Sequence, residues 1–304
     1  AVLIVRSRTP AMKRSNTPIP GLQADVMKKS ASPKQVARAI GVSESTLKRW
    51  CDRGLIPMTK TAGGHRKIET EAVLQFLRES GRTIAAPELL GLPVTAGKTE
   101  WTLSRATDRI VTSLVNGEEA VARQIVFDLV LADHSMTAIF DDVLATVMHR
   151  IGEQWGCGEV AVYQERRACE ICMRLLRECR QLMPVPASVA PVAIGATIEN
   201  DFYTLPVTMA EIVLRSVGWK ANSLGSNLPF DTLQRAVTET RPRLLWLSVS
   251  FIQDEAEFIQ GVNDLFTLTT ATGSAFAIGG QALTSALCRQ LQYSAYCQSF
   301  RDLE

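Results

Sequence analysis

Between residues 43 and 67 the chain sets side chains that suit one chemistry, the recognition of a polyanion: Ser45, Thr46, Lys48, Arg49 and Arg53, then Lys60, His65, Arg66 and Lys67. Guanidinium and ammonium groups neutralise phosphates, and short hydroxyl side chains reach base edges or phosphate oxygens. Their spacing says what must position them. Ser32 can cap a helix that opens on Pro33, where a missing N–H costs nothing, and Val36, Ala37 and Ile40 share one face of it. Gly41 permits a tight turn. Ser43 caps a second helix in which Leu47 and Trp50 turn inward with Val42, leaving Ser45, Thr46, Lys48 and Arg49 on the groove-facing side. Past Gly54, the run LIPMTKTAGGHRKI has a Gly63-Gly64 pair suited to a hairpin tip, which gathers Lys60, His65, Arg66 and Lys67 on a wing. The expectation is a winged helix-turn-helix on a double-stranded DNA operator, with the helix specifying and the wing positioning.

Helix-turn-helix patterns also occur in protein-interaction modules, and charge separates the two readings. Residues 28–82 hold 12 Lys+Arg against 5 Asp+Glu, a net of +7, whereas residues 83–304 hold 17 against 25, a net of −8. A basic head on an acidic body is the footprint of a nucleic-acid module joined to something else. The 304 residues suggest two or three domains, and 46% hydrophobic with 21% charged residues is ordinary for globular chains. Seven scattered cysteines point to reduced thiols rather than a disulfide framework. The start AVLIV is too short for a signal segment, and no apolar run reaches the ~20 residues of a membrane helix, so the expected place is the cytoplasm. Residues 1–27, with Pro10, Pro18 and Pro20, are expected to be a disordered lead, with Met27 a candidate natural start.

Beyond the head (28–82), GRTIAAPELLGLPVTAGKT is a Pro/Gly-punctuated stretch read as a linker over 83–99 that lies on the surface. Residues 103–115, 118–132, 135–154 and 160–183 carry apolar residues at three- and four-residue spacing with short turns between, which predicts a four-helix bundle over 100–183. After MPVPASVAP, apolar strands VAIGA, WKANSL, LLWLSVS and SAFAIGG alternate with helices at 204–217, 231–239 and 253–270, followed by a last helix and a short strand. That grammar predicts a doubly wound α/β domain over 184–304, with any ligand at the strand ends. The fold class is thus multidomain: winged helix-turn-helix, all-α bundle, then α/β. Asp141-Asp142 and Glu118-Glu119 read as solvated helix faces, and His134 and His149 as structural residues.

The hairpin ending in AGGHRKI followed by the helix EAVLQFLRES resembles the head of MerR-family transcription regulators, which implies a dimer on a two-fold operator. Bundle and α/β halves behind such a head resemble the cobalamin-dependent light-sensing regulators of the CarH type. The residues that carry this are Trp155 and Glu165 in IGEQWGCGEVAVYQER, Ser248-Val-Ser250, and Ala277-Ile-Gly279-Gly280-Gln281, which stand where the family's bundle motif, strand-end serines and Gly-Gly loop line a cofactor cavity. Where the family has Asp-x-His-x-x-Gly, with His binding cobalt, this chain has Asp201-Phe-Tyr203-Thr-Leu-Pro206; the His after the bundle Glu is here Arg166.

A phenol with a pKa near ~10 replaces imidazole poorly. The loss of both imidazoles argues against cobalamin and for another flat tetrapyrrole bearing carboxylates, a linear bilin such as biliverdin ahead of haem. Trp155 and Tyr203 offer aromatic faces, Arg166 a bidentate partner for a propionate, and Cys169 and Cys172 share the helix face of Glu165, where a thiol could reach the cavity. Against that, a lone CxxC is commonly buried core and makes no metal site. The expected function is a DNA-binding transcription regulator with a tetrapyrrole sensor, light being a candidate signal that shifts a dimer or tetramer. Two alternatives stay open: a cofactor-free regulator run by oligomerisation or a protein partner, and a weakly cobalamin-binding light-dependent one. An enzyme is the reading from another class, since the α/β fold also serves cobalamin-dependent mutases and methyltransferases; the DNA-binding head and the lack of a substrate barrel speak against it.

Overall fold

The computed structural model describes residues 28–61, 64–93 and 101–304. The expected lead at 1–27, Gly63 of the hairpin tip and linker residues 94–100 lie outside the described residues.

The head begins with β1 (Ser30–Ala31), α1 (Pro33–Ala39) and α2 (Glu44–Asp52), then β2 (Thr59–Lys60), β3 (Arg66–Glu69) and α3 (Thr70–Glu79). Ser32 Oγ accepts from Gln35 N at 3.3 Å while Gln35 Oε1 accepts from Ser32 N at 3.0 Å, so α1 starts on a reciprocal cap. Gly41, at φ +69, makes the turn that sets α2 across α1. The strands form an antiparallel sheet in the order β1-β3-β2, and Val36, Leu47, Ile56, Ile68 and Val73 are buried between it and the helices. Trp50 closes that core half-buried, with its ring 4.8 Å from Phe76 and the Arg82 guanidinium 5.1 Å above it.

Residues 84–92 correct the expectation of a surface linker. Ile84, Leu90 and Leu92 are buried, a 3-10 turn runs over Pro87–Leu90, and Ala39 O accepts from Ala85 N and Ala86 N at 2.8 and 3.0 Å. Pro and Gly break helical periodicity without making a segment polar, and these three apolar side chains have a face of α1 to cover. Arg123, paired with Glu178 at 2.7 Å, also donates to Gly91 O at 2.7 Å, which fastens this segment to the helices behind it.

The helical layer comprises α4 (Leu103–Asn116), α5 (Glu119–Leu131), α6 (Met136–Ala138), α7 (Thr146–Gly156) and α8 (Val162–Gln181), with a π-helical stretch, Ile139–Ala145, joining α6 to α7. Helix α4 packs on α5, α7 and α8 around Ile110, Leu114, Phe127, Phe140, Leu144 and Leu175. The periodicity foresees these helices but not the π stretch, whose wider turn leaves no trace in apolar spacing.

The α/β half follows as β4 (Val192–Thr197), α9 (Thr204–Ser216), β5 (Lys220–Ser223), α10 (Phe230–Thr240), β6 (Leu244–Ser248), α11 (Glu255–Thr272), β7 (Ala275–Gly279), α12 (Ser285–Cys288) and β8 (Ala295–Cys297). All five strands are parallel in the order β5-β4-β6-β7-β8, so the order reverses beside β4 and opens a crevice at the carboxyl ends of β4 and β6. Helix α9 ties this half to α8 through Glu211, whose buried carboxylate meets Arg180 at 2.5 Å and Arg215 at 3.0 Å. Under α9 the sheet presents Ala193, Gly195, Ala221 and Ala277, and Trp246 spends the space they leave. Gly195 pairs in register with Trp246, and a Cβ there would fall 2.0 Å from the indole.

Candidate functional site

The head presents its cations outward. Ser43 caps α2 by accepting from Thr46 N at 3.2 Å, and with Leu47 buried the opposite side of the helix leaves Ser45, Lys48 and Arg49 exposed and Thr46 half-exposed. Arg49 Nη2 donates to Thr46 Oγ1 at 3.4 Å, and Arg53 is exposed at the helix end. In the wing Thr61 N donates to His65 O at 2.9 Å, Lys60 stands opposite Arg66, and Lys60, His65, Arg66 and Lys67 are all exposed. Local hydrogen bonds thus order the backbone while the cations stay solvated, which suits phosphates that must shed counterions.

The second site lies where strands of the α/β half end. A pocket of about 170 Å³ is bounded by Pro206 and Ala210 of α9, Trp246 to Ser248 of β6, Ala277 to Gly280 at the end of β7, and the chain at and past the end of β8 from Cys297 to Phe300 with Leu303. The helical layer closes it with Asp141 and Ala145. Its glycines are obligatory. A Cβ on Gly279 would meet Cys297 O at 2.6 Å, and one on Gly280, at φ +132, would meet Val249 O at 2.2 Å.

Of the residues singled out in the sequence, Ser248, Gly279 and Gly280 line this pocket. Asp201 and Ser250 do not; they tie its rim together. The buried Asp201 carboxylate accepts from Tyr203 N at 3.0 Å, Ser250 N at 2.6 Å and Phe251 N at 3.3 Å, and its carbonyl accepts from Asn227 N at 3.1 Å, so three strand-end loops hang on one residue. These loops hold Phe202, Tyr203 and Phe251 in water, Tyr203 at 42% exposure.

Trp155, at the end of α7, and Arg166 on α8 are exposed, and the Glu165 carboxylate accepts from Cys169 Sγ at 3.3 Å beside Arg166 Nε at 3.4 Å. No hydrogen bond or ring contact among the described residues joins this set to the strand-end loops. The two cysteines correct the expectation of thiols aimed into the cavity: neither lines it, and Cys172 is buried 3.7 Å from Met148 Sδ. Burial, reinforced at Cys169 by Glu165, pushes both thiols up to about 12, so at neutral pH they are core groups and not nucleophiles. Asp141 is likewise not the solvated residue expected, since it is half-buried against the chain past β8, and Asp142, though exposed as expected, pairs with Arg301 of the same segment.

Sequence reasoning missed Trp246, Pro206, Ala210 and Asp141. A glycine inside the strand VAIGAT was the one available signal, because it marks a close approach that here is the Trp246 indole.

Residues 32–81 match the helix-turn-helix domain family, and residues 106–180 match the B12 binding domain family. The chain is 28% identical over 168 residues to the HTH-type transcriptional repressor CarH of Myxococcus xanthus, an alignment spanning 55% of each protein, so it covers about half the length of that relative. To the HTH-type transcriptional repressor CarA of the same organism it is 23% identical over 240 residues, 76% of this chain and 80% of that one. The monomethylamine corrinoid protein of Methanosarcina barkeri superposes with a TM-score of 0.56 at 13% identity over 66% of this chain and 96% of the other, which establishes a shared fold. The match to the B12 binding domain overturns the expectation of a bilin or haem in place of cobalamin. The expected absence of two imidazoles does not by itself exclude a corrin, because a ligand to the metal is only one of the contacts a large macrocycle makes. The chain carries a helix-turn-helix domain followed by a B12-binding-type domain.

Proposed function

We propose that this chain is a DNA-binding transcription regulator whose body takes a corrinoid. The observation that carries the first half is the outward side of α2 and the wing, where every Lys and Arg singled out in the sequence is exposed while Leu47, Ile56 and Ile68 hold the module from behind. Helix α2 is the base reader, Arg53 and the wing grip phosphates, and two heads on a two-fold operator are the expected arrangement.

The strand ends fit a corrinoid held by shape. Gly279 and Gly280 bring bare backbone to the pocket where a Cβ would strike Cys297 O or Val249 O, Ser248 adds a hydroxyl, and Phe202, Tyr203 and Phe251 offer solvated aromatic faces on the strand-end loops. Imidazole is absent from that donor set. His65 is in the wing, His134 in the turn before α6, and His149 pairs with Glu153 at 3.4 Å on the exposed side of α7. The residues therefore fit a corrinoid without a protein imidazole on its metal. Such a group, when bound, would supply a rigid flat surface and a metal able to exchange a ligand. The chain's own part is positional: Asp201 fixes three loops, and Asp141 and Ala145 of the helical layer close the pocket beside them.

A mobility-shift titration at several salt concentrations tests the regulator reading. Affinity for operator DNA is expected to fall linearly in log–log form as salt rises, and binding indifferent to salt contradicts it.

A further inference from the structure

After β8 the chain leaves the sheet. Cys297 still pairs with Gly279, but among the described residues the backbone of 298–304 makes no ladder bond; its one backbone bond is local, Leu303 N to Phe300 O at 3.2 Å. The segment is stiffened from inside, because the Asp302 carboxylate accepts from Gln298 N and Ser299 N at 2.8 Å each and from Ser299 Oγ at 3.0 Å.

Its outside grip is on the helical layer. The Asp141 carboxylate accepts from Phe300 N at 2.8 Å and Arg301 N at 3.1 Å, the Arg301 guanidinium pairs with Asp142 and lies 3.7 Å from Asp141, and Thr137 Oγ1 donates to Glu304 Oε2 at 3.0 Å. Phe300 sets its ring edge-on to Phe140 at 6.0 Å, and Phe300 and Leu303 also pack on the sheet face beside Trp246. Both aspartates sit in the π-helical stretch, whose wider turn lets two successive residues serve one partner. The same Asp141 and the same Phe300 and Leu303 are walls of the strand-end pocket.

We propose that residues 298–304 are a strap closing the strand-end pocket against the helical layer, that Asp141 and Asp142 are its latch, and that filling the pocket beyond its closed size unlatches the strap from the helical layer. This rests on the pocket being the ligand site named above. At about 170 Å³ the closed pocket is little larger than a cavity that takes one benzene, roughly 150 Å³. A corrinoid's nucleotide end is bulkier than that. Of the walls, the sheet and α9 are held by ladder bonds and a buried ion network, whereas the strap has no ladder bond and is held by hydrogen bonds to Asp141, Asp142 and Thr137 with the packing of Phe300 and Leu303, so the strap is the wall that yields. Its release frees the helical layer from this one edge of the sheet, while α9 stays held on α8 through Glu211, and so links the ligand to the head's carrier.

Cys297 reports on the strap without any ligand. It lies half-buried beneath the strap, and burial, then Asp302, pushes its thiol up, while Cys157 is exposed and serves as the internal standard. The full chain is alkylated with iodoacetamide and each site read by peptide mass spectrometry. Relative to Cys157, Cys297 is expected to react about tenfold faster in the Asp141→Asn/Asp142→Asn variant, and faster to a lesser degree in Arg301→Gln, whose exposed side chain leaves folding intact. An unchanged ratio in Arg301→Gln overturns the latch. A second arm adds hydroxocobalamin to the wild type and follows amide exchange over 298–304. Faster exchange in the complex supports unlatching; bound cobalamin with equal or slower exchange overturns it. A chain that binds no cobalamin refutes the corrinoid reading, and the thiol arm still decides the strap.

Discussion

The head and the strand-end pocket solve opposite problems with the same chain. In the head, residues 43–67 bring the whole chemical surface together within one supersecondary unit, and each cation stays in water because its future partner is a solvated polyanion. The pocket draws its walls from five separated stretches, around residues 141, 206, 246, 279 and 300, and its working parts are buried backbone, glycines and a carboxylate spent on N–H groups. Function in the head is a matter of local spacing; function in the pocket is a matter of what five stretches leave empty. Substitutions in the head should therefore cost binding and leave stability alone, and substitutions at the pocket should cost stability first.

The largest effect is expected from removing Arg49, Arg53 and Arg66 together. Operator affinity should fall by about 10³-fold or more, the slope of log affinity against log salt should flatten by roughly three units, and the urea midpoint should stay put. An unaltered slope removes this face from the DNA interface. Asp201→Ala is the pocket's counterpart. It leaves the backbone donors of Tyr203, Ser250 and Phe251 without their acceptor, so urea unfolding should show a loss of about 2–4 kcal/mol, with no change in the salt slope of DNA binding. A loss near zero would mean that the three loops do not depend on that clamp.

A pair of glycines sharpens the contrast. At Gly195 an added methyl strikes the Trp246 ring, and overpacking there should cost about 1–3 kcal/mol. At Gly54 nothing stands within 4 Å, and only the backbone at φ +75 resists, so Gly54→Ala should cost about 1 kcal/mol. Equal costs in thermal denaturation would show that the indole has room to move. The smallest effect concerns Glu119, whose carboxyl is held below its usual range by the hydrogen bond from Arg174, joining α5 to α8. A depressed carboxyl adds stability that is complete above its unfolded pKa and is lost as pH falls through the folded one. Because both side chains are over a third exposed, Glu119→Gln should cost only ~0.2–1 kcal/mol at pH 7 and nothing at acid pH where the wild type is also protonated. A difference that persists unchanged into acid would assign it to packing.

The helices were legible because burial imposes its period on the sequence: α9 spans 204–216 where 204–217 was expected, and α10 spans 230–240 where 231–239 was. The head was legible for the same reason, with Leu47 inside and Lys48 and Arg49 outside. The pocket was legible only in its glycines and Ser248. Asp141 and Asp142 looked like any solvated pair, since a carboxylate's partner 159 residues away leaves no local sign. Cys169 and Cys172 shared a helix face with Glu165, and their distance from the pocket depended on how α8 packs, which spacing along α8 does not encode. Tyr203 reads in the sequence as a replaced ligand, yet one side chain says little of the other contacts a macrocycle makes, and the match to the B12 binding domain lies in the helical layer, residues 106–180.

Gel filtration of the full chain after incubation with hydroxocobalamin in darkness decides whether this body takes the proposed corrinoid without help from a protein imidazole. Stoichiometric co-elution of the corrin absorbance with the protein is expected, surviving substitution of His134 and His149 by Gln. Protein that elutes colourless at every cobalamin concentration, or a complex abolished by those histidine substitutions, would contradict the corrinoid reading.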